Sequence, residues 1–465
     1  MAMTDDPAAT ATLPDARSRV WATADAGLRR RLVNIGHLLS GNGITGAVAL
    51  IAVVLTARSL GPADYGVLAL VVSYVRVFDR LMRFESWQPL IKYAAEVDRA
   101  GEDSRERLRA LFAFGLWLDG AACVAAAASA SLLAWLFGPL LGLSDAHLGL
   151  VLLNSAALLF NISGTPTAVL RLAGRYRTIA YVQVSGSVLR VALCGIGLWA
   201  GGDLIFFIVA WTISQIAMSL LFLALSLIEL SRQDIRALHR VPLRGITRRF
   251  PGIMGFAWSS SFSVSIRTSS MELDVLIVGA LSDPRSAGLY FVAKQVAKVV
   301  QQVCAQVQAV LYPDVARLWA KGSFRMFRRA IIQTQLVLDL FAVVAIAMLA
   351  LGGPVFIAIA MGTEFAEAFP LLFVQMCALA FTMHAAPLRS ALLAMGEQRA
   401  VLHIVLWSTL LFQAAAFALI PRIGAMGANV AHVILAVVSA LAMERALRRR
   451  LKNVLAGSRP RPGSG

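Results

Sequence analysis

The chain has 465 residues, 58% of them hydrophobic and only 15% charged, with a formal net charge of +17 and a mean hydropathy of +0.72. A soluble globule of that composition could not cover its surface with polar groups. The basic residues fall between apolar runs, so membrane topology and attraction to anionic lipid account for the charge, and nucleic acid is not expected as a partner.

Apolar runs of about 20 residues are long enough to cross a hydrocarbon core of about 30 Å as helices, whereas barrel strands would need short alternating segments. In chain order the first six runs lie at 33–56, 66–88, 110–138, 148–170, 178–200 and 204–229. Six more lie at 252–278, 288–312, 328–352, 366–390, 399–420 and 424–446. The expected fold class is an all-α polytopic membrane protein with about 12 transmembrane helices. Residues 1–31 are rich in Ala, Thr, Asp and Arg and lack an apolar core ending at a cleavage site, so they read as a disordered cytoplasmic tail and not as a signal peptide.

With the N-terminus in the cytoplasm, 32 Lys and Arg residues fall on the inside and three, Arg58, Arg285 and Arg422, on the outside. That bias predicts both termini in the cytoplasm of a multi-pass protein of the cell inner membrane. The outer loops are short, the longest running roughly from Gly352 to Glu367, which leaves no room for an extracytoplasmic catalytic domain.

A shift of 222 residues lays Gly66 on Gly288, Gly174 on Gly396, Arg177 on Arg399, Gly202 on Gly424, and Arg76 opposite Lys298. The expected organisation is therefore a six-helix lobe at 32–230, a cytoplasmic linker at 231–250 carrying six arginines, a second six-helix lobe at 251–447 and a basic tail at 448–465. An even number of crossings starts both copies from the same side, so the repeat is parallel, with its axis along the membrane normal.

Ionisable groups at membrane depth need a partner, a wet cavity or a function. In the second run Arg76, Asp79, Arg80 and Arg83 fall at i, i+3, i+4 and i+7, on one helix face. Entering near Gly66, Arg76 lies about 15 Å deep at 1.5 Å per residue. Arg76 and Arg80 are read as cavity lining, and Arg83 with Glu85 as a snorkelling local ion pair. The eighth run carries Lys294 and Lys298 one turn apart, followed by Gln301 and Gln302; Arg190 and Arg267 lie in the fifth and seventh. For Arg190 and Arg267 the alternative is burial against Asp119, Asp339, Glu272 or Asp274. Asp119 and Asp339, both near mid-depth, are candidates for ion coupling, with pairing to those arginines as the alternative.

The seventh run crowds Trp258, Ser259, Ser260, Ser261, Ser263, Ser265, Thr268, Ser269 and Ser270, suited either to a sugar or to close helix packing. Trp135 and Trp199 read as interface anchors. His384, His403 and His432 stand singly in apolar runs, where packing or one hydrogen bond is expected and a proton relay is the alternative. Cys123, Cys194, Cys304 and Cys377 are far apart without metal-ligand spacing and read as small packing residues. No G-x-x-x-x-G-K phosphate loop and no H-E-x-x-H occurs, so neither ATP hydrolysis, a metal site nor a cofactor is expected.

After the first run the chain reads Ala57-Arg58-Ser59-Leu60-Gly61-Pro62-Ala63-Asp64-Tyr65-Gly66. This resembles the A-R-x-L-G-P-x-x-Y-G signature of the polysaccharide and lipid-linked oligosaccharide flippases, in the multidrug/oligosaccharidyl-lipid/polysaccharide exporter superfamily. Asp274, Ala287-Gly288-Leu289-Tyr290, Ala293-Lys294 and Tyr312-Pro313 follow in the order that family shows, and the resemblance covers roughly residues 32–450. It implies two six-helix lobes around a central cavity opening alternately to each face, and a polyprenyl-pyrophosphate sugar as cargo, moved from the cytoplasmic to the periplasmic leaflet. The candidate cargo residues are then Arg76, Arg80, Arg190, Arg267, Lys294 and Lys298, whose charge suits pyrophosphate better than a cationic drug. Expected partners are the lipid-linked oligosaccharide, anionic lipids and the polysaccharide polymerase and export machinery, with the chain acting as a monomer and not as an enzyme. A multidrug extruder of the same fold, a membrane enzyme on polyprenyl-linked sugar, a major-facilitator carrier and a non-transporting scaffold are the competing readings. The acidic stretch Glu96-Val97-Asp98-Arg99-Ala100-Gly101-Glu102-Asp103 stands where the major-facilitator pattern is basic.

Overall fold

The computed structural model describes residues 16–97, 103–138, 145–242, 245–259, 261 and 272–457. Those residues are almost wholly helical, with no strand among them. Nine helical stretches among them are long and apolar enough to cross a membrane, the first being Gly43–Val97 with 55 residues.

The first two expected spans meet at a sharp break and not in a loop. Helix α1 (Ala16–Met82) runs through both, and the segment between them is a kink at Gly61, with φ 69° and ψ 173°, followed by Pro62 inside the helix. Only glycine takes that φ without strain, and Pro62 lacks the N–H that the break would orphan. Helix α1 also begins at Ala16, inside the stretch expected as a tail. After it come the short amphipathic α2 (Trp87–Val97) and α3 (Ser104–Phe137).

The fourth expected span is broken in its middle. Helix α4 (Leu148–Ser155) tightens into a 3-10 stretch, Ala156–Phe160. The chain is non-helical at residues 161–163 and restarts as α5 (Gly164–Leu172). Backbone freed at membrane depth must be satisfied within the protein, and here Asp119 of α3 does so, accepting the Thr165 N–H at 2.6 Å and the Ser86 hydroxyl at 2.5 Å. A carboxylate at a helix N-terminus meets both the orphan donors and the dipole. Gly164 has no room for a side chain, because a Cβ there would come within 1.8 Å of Ser86 Oγ and 2.8 Å of Asp119 Oδ1.

Helices α6 (Tyr176–Ala200) and α7 (Leu204–Arg232) complete the N-terminal half. In the linker, the one-turn α8 (Ile246–Arg249) leads into helical residues 253–259. The chain continues as α9 (Leu273–Leu281), α10 (Pro284–Ala320), α11 (Phe324–Met361), α12 (Ala368–Ala394), α13 (Gln398–Ile423) and α14 (Ala425–Gly457). Gly174 and Gly396, paired by the 222-residue offset, both end their helices with positive φ, 70° and 81°.

Large exposed apolar side chains such as Trp199, Leu351 and Met348 face outward over the whole girth, which suits hydrocarbon. At the end of the Gly61 kink, one continuous core joins both halves of the chain, from Ala52 and Leu68 through Phe207 to Phe291, Phe365 and Ala428. Backbones touch there: a Cβ on Gly66 would fall 1.8 Å from Pro284 O, and one on Gly288 would fall 2.8 Å from Gly66 Cα. Tyr65 is fully buried between Phe291 and Phe365, with ring centroids 6.0 and 6.1 Å away. Arg58 donates across to Ile359 O at 3.1 Å.

At the other end, which carries most of the arginines, the core divides. Leu90, Tyr93, Leu111, Phe114 and the linker residues Phe250 and Ile253 form one cluster. Leu311, Val315, Phe327, Ile331, Leu388 and Leu392 form another.

Candidate functional site

A cavity of about 600 Å³ lies within the N-terminal half, with Glu272 and Lys298 reaching it from the C-terminal half, and its size is within the usual range for a small-molecule site. Its cationic wall is Arg76 and Arg80 from α1, Arg171 from α5, Arg190 from α6 and Lys298 from α10. On α1 the i, i+4 spacing stacks Arg76 on Arg80, so both reach the cavity from one helix face.

Among the described residues, no carboxylate lies within 4.0 Å of Arg76, Arg80, Arg190 or Lys298. Arg76 rests 5.9 Å from the Phe291 ring centroid. Arg190 lies 4.8 Å from the Trp211 centroid and donates Nε–H to Ser214 Oγ at 3.0 Å. Both guanidiniums are held by ring faces and a hydroxyl. Asp79 is already committed, to Arg83 at 2.5 Å and to the Asn161 amide at 2.7 Å. The partner of Arg83 is therefore Asp79 and not Glu85, which instead accepts from Trp87 Nε1 at 2.6 Å. Four like charges sharing a partly desolvated space repel one another, and an anion entering it would be met by cations that no carboxylate among the described residues pairs within 4.0 Å.

The remaining candidates separate. Lys294 turns to the buried Asp274 at 2.7 Å, with Glu272 at 3.9 Å. Arg267, with Ser263, Ser265, Thr268, Ser269 and Ser270, lies outside the described residues. Neither aspartate considered for ion coupling pairs with an arginine: Asp119 caps α5, and Asp339 binds His384 Nδ1 at 3.0 Å. His432 meets Asp274 at 3.2 Å, so two of the three lone histidines make a hydrogen bond to a carboxylate. The four cysteines are free.

Several cavity residues went unnoticed in the sequence: Asn154, Asn161, Gln183 and Gln215 supply amides, and Arg171 stacks on Trp87 at 4.2 Å. A signal for some of them existed, since Asn161-Ile162-Ser163-Gly164-Thr165-Pro166 interrupts an apolar run with residues that break helices.

A multi-pass helical bundle that holds a cationic cavity is the architecture of a membrane transporter or flippase. The sequence model of the family described as "Polysaccharide biosynthesis protein" matches residues 55–370, and the chain belongs to that family. The "Inner membrane protein YghQ" of Escherichia coli (strain K12) is 26% identical over 349 residues, 75% of this chain and 97% of that protein. Among solved structures, an inward-facing multidrug resistance MATE family transporter of the MOP superfamily superposes with a TM-score of 0.69 at 14% identity, covering 89% of this chain and 96% of that one. The lipid II flippase MurJ, in an inward closed conformation, gives 0.67 at 13% identity, covering 88% and 87%. The fold is thus the one that these two solved structures share.

Proposed function

We propose that this protein moves a polyprenyl-pyrophosphate-linked oligosaccharide from the cytoplasmic to the periplasmic leaflet by alternating access, in the assembly of a surface polysaccharide. The observation that carries the reading is that Arg76, Arg80, Arg190 and Lys298 line one cavity with no carboxylate within 4.0 Å among the described residues. Guanidinium forks bind phosphate oxygens bidentately and an ammonium adds a point charge. The surrounding amides of Asn154, Asn161, Gln183 and Gln215 suit sugar hydroxyls. A cationic drug would be repelled by such a wall, which argues against a multidrug extruder.

The reading takes residues 32–230 and 251–447 as two lobes with both termini cytoplasmic, so that the divided, arginine-rich end opens inward. Membership of a polysaccharide biosynthesis family supports the cargo class, and a relative named for flipping lipid II has the same fold. The purified protein should be stabilised against heat by a polyprenyl-pyrophosphate oligosaccharide, and the Arg76→Ala, Lys298→Ala double variant should not be. Loss of one charge-assisted contact weakens binding by roughly ten-fold or more. Equal stabilisation of the wild type by the uncharged polyprenol sugar would move the cargo site away from these cations.

A further inference from the structure

A second polar cluster lies behind the cavity wall, inside the C-terminal half. Asp274, 1% exposed, accepts from Lys294 Nζ through Oδ1 at 2.7 Å, and through Oδ2 from the Tyr290 hydroxyl at 2.8 Å. His432 Nε2 faces the same Oδ2 at 3.2 Å. Lys294 Nζ also lies 3.9 Å from Glu272, which lines the cavity together with Lys298, one turn further along α10. The lysine therefore stands between a buried carboxylate and the cavity.

We propose that His432 is a proton-binding site and that its protonation releases the Lys294 ammonium from Asp274 toward the cavity. With the imidazole neutral, Asp274 and Lys294 balance each other, and Nε2–H donates to the carboxylate. A proton from water placed on Nδ1 makes a second cation on the same carboxylate. Two cations compete for Asp274, and they differ in mobility. His432 is held by the Phe412 ring, 4.4 Å away. Lys294 sits on a flexible four-carbon stem and has Glu272 within reach. Around His432 the charged groups are Asp274 from α9, with Glu272 just before that helix, and Lys294 beside Tyr290 on α10. The ionisable groups of α12 and α13 are Cys377, His384, Arg389, Arg399, His403 and Arg422, of which His384 is turned to Asp339. Release of Lys294 would add a cation to the wall that already holds Lys298, linking a proton to the affinity for an anion. Only that last step rests on the cargo reading above.

The test has two arms. Lowering the pH of the purified protein from about 8 to about 5 spans the range in which imidazoles as a class change charge. His432→Gln should take up about one proton fewer than the wild type, and equal uptake overturns the proposal. In the second arm the ligand is a short polyprenyl-pyrophosphate disaccharide, a diester whose two charges persist over that range. The wild type should bind it roughly ten-fold tighter at the lower pH, the effect of one added charge-assisted contact. The Asp274→Asn, Lys294→Gln double variant, which leaves no buried charge unpaired, should lose that pH dependence. If it keeps the dependence, the transfer of Lys294 is wrong. If the Arg76→Ala, Lys298→Ala variant binds like the wild type, the cargo reading fails instead, and the proton count still decides the site. Should His432→Gln not fold, the double variant alone decides.

Discussion

The two ends of the bundle are held in opposite ways. At the Gly61 kink the halves share one apolar core and touch backbone to backbone through Gly66 and Gly288. At the arginine-rich end each half keeps its own cluster, and the cationic cavity is built from the N-terminal half, with Glu272 and Lys298 added from the other. Close packing, with Arg58 hydrogen-bonded across it to Ile359 O, seals one end, while separate clusters leave the other divided. Switching the open end requires the glycine contact to separate and the cations to be neutralised, and an anionic cargo supplies the second.

The largest expected effect comes from breaking the seal. In Gly66→Ala the new Cβ meets Pro284 O, a backbone atom that cannot swing aside. Overpacking of this kind costs about 3 kcal/mol, so closure at that end should fall by roughly a hundred-fold. A thiol reagent applied from the kink side to a Phe365→Cys reporter would then label Gly66→Ala rapidly and the parent slowly. Equal labelling would show that the glycines do not form the gate.

Asp119→Ala should come next. It removes the cap of α5 and leaves the Ser86 hydroxyl and Thr165 N–H buried without their acceptor, at a cost of about 2 kcal/mol. Thermal unfolding should shift down while Asp119→Asn, which keeps an acceptor, shifts less. If both variants lose transport without losing stability, Asp119 has a role in ion coupling after all.

Tyr65→Phe tests the seal from the other direction. The Tyr65 hydroxyl is buried with no hydrogen-bond partner among the described residues, and an unsatisfied hydroxyl costs about 1 kcal/mol or more. The variant should close more firmly and label about five-fold more slowly at residue 365. Faster labelling would mean that the hydroxyl finds a partner in the closed state. The smallest effect belongs to Arg445→Ala and Arg449→Ala on α14, which should leave cargo binding unchanged, since surface cations contribute about 1 kcal/mol each to lipid attraction alone.

Much of this was readable from spacing. The i, i+4 positions of Arg76 and Arg80 place both on the cavity, and the 222-residue offset picks out Lys298, which lines it too, and Gly66 and Gly288, which meet at the kink end. Where periodicity failed, tertiary partners decided. Lys294 lies one turn from Lys298 yet is claimed by Asp274, and nothing local says which lysine a distant carboxylate will take. The break at residues 161–163 is a polar interruption that hydropathy averages away, and its stability depends on Asp119, 46 residues away. Gly-Pro marks the break between the first two spans as its chemistry suggests, but the helix resumes directly after Gly61 with no loop between them.

The central claim is that unpartnered cations in the cavity recognise a pyrophosphate. Its most direct measurement is delivery of a polyprenyl-pyrophosphate oligosaccharide to the far leaflet of proteoliposomes by the wild type, Arg76→Lys and the Arg76→Ala, Lys298→Ala double variant. The account predicts that the double variant is inactive and that Arg76→Lys, which keeps the charge but loses the fork, is intermediate. Full activity in the double variant would contradict it.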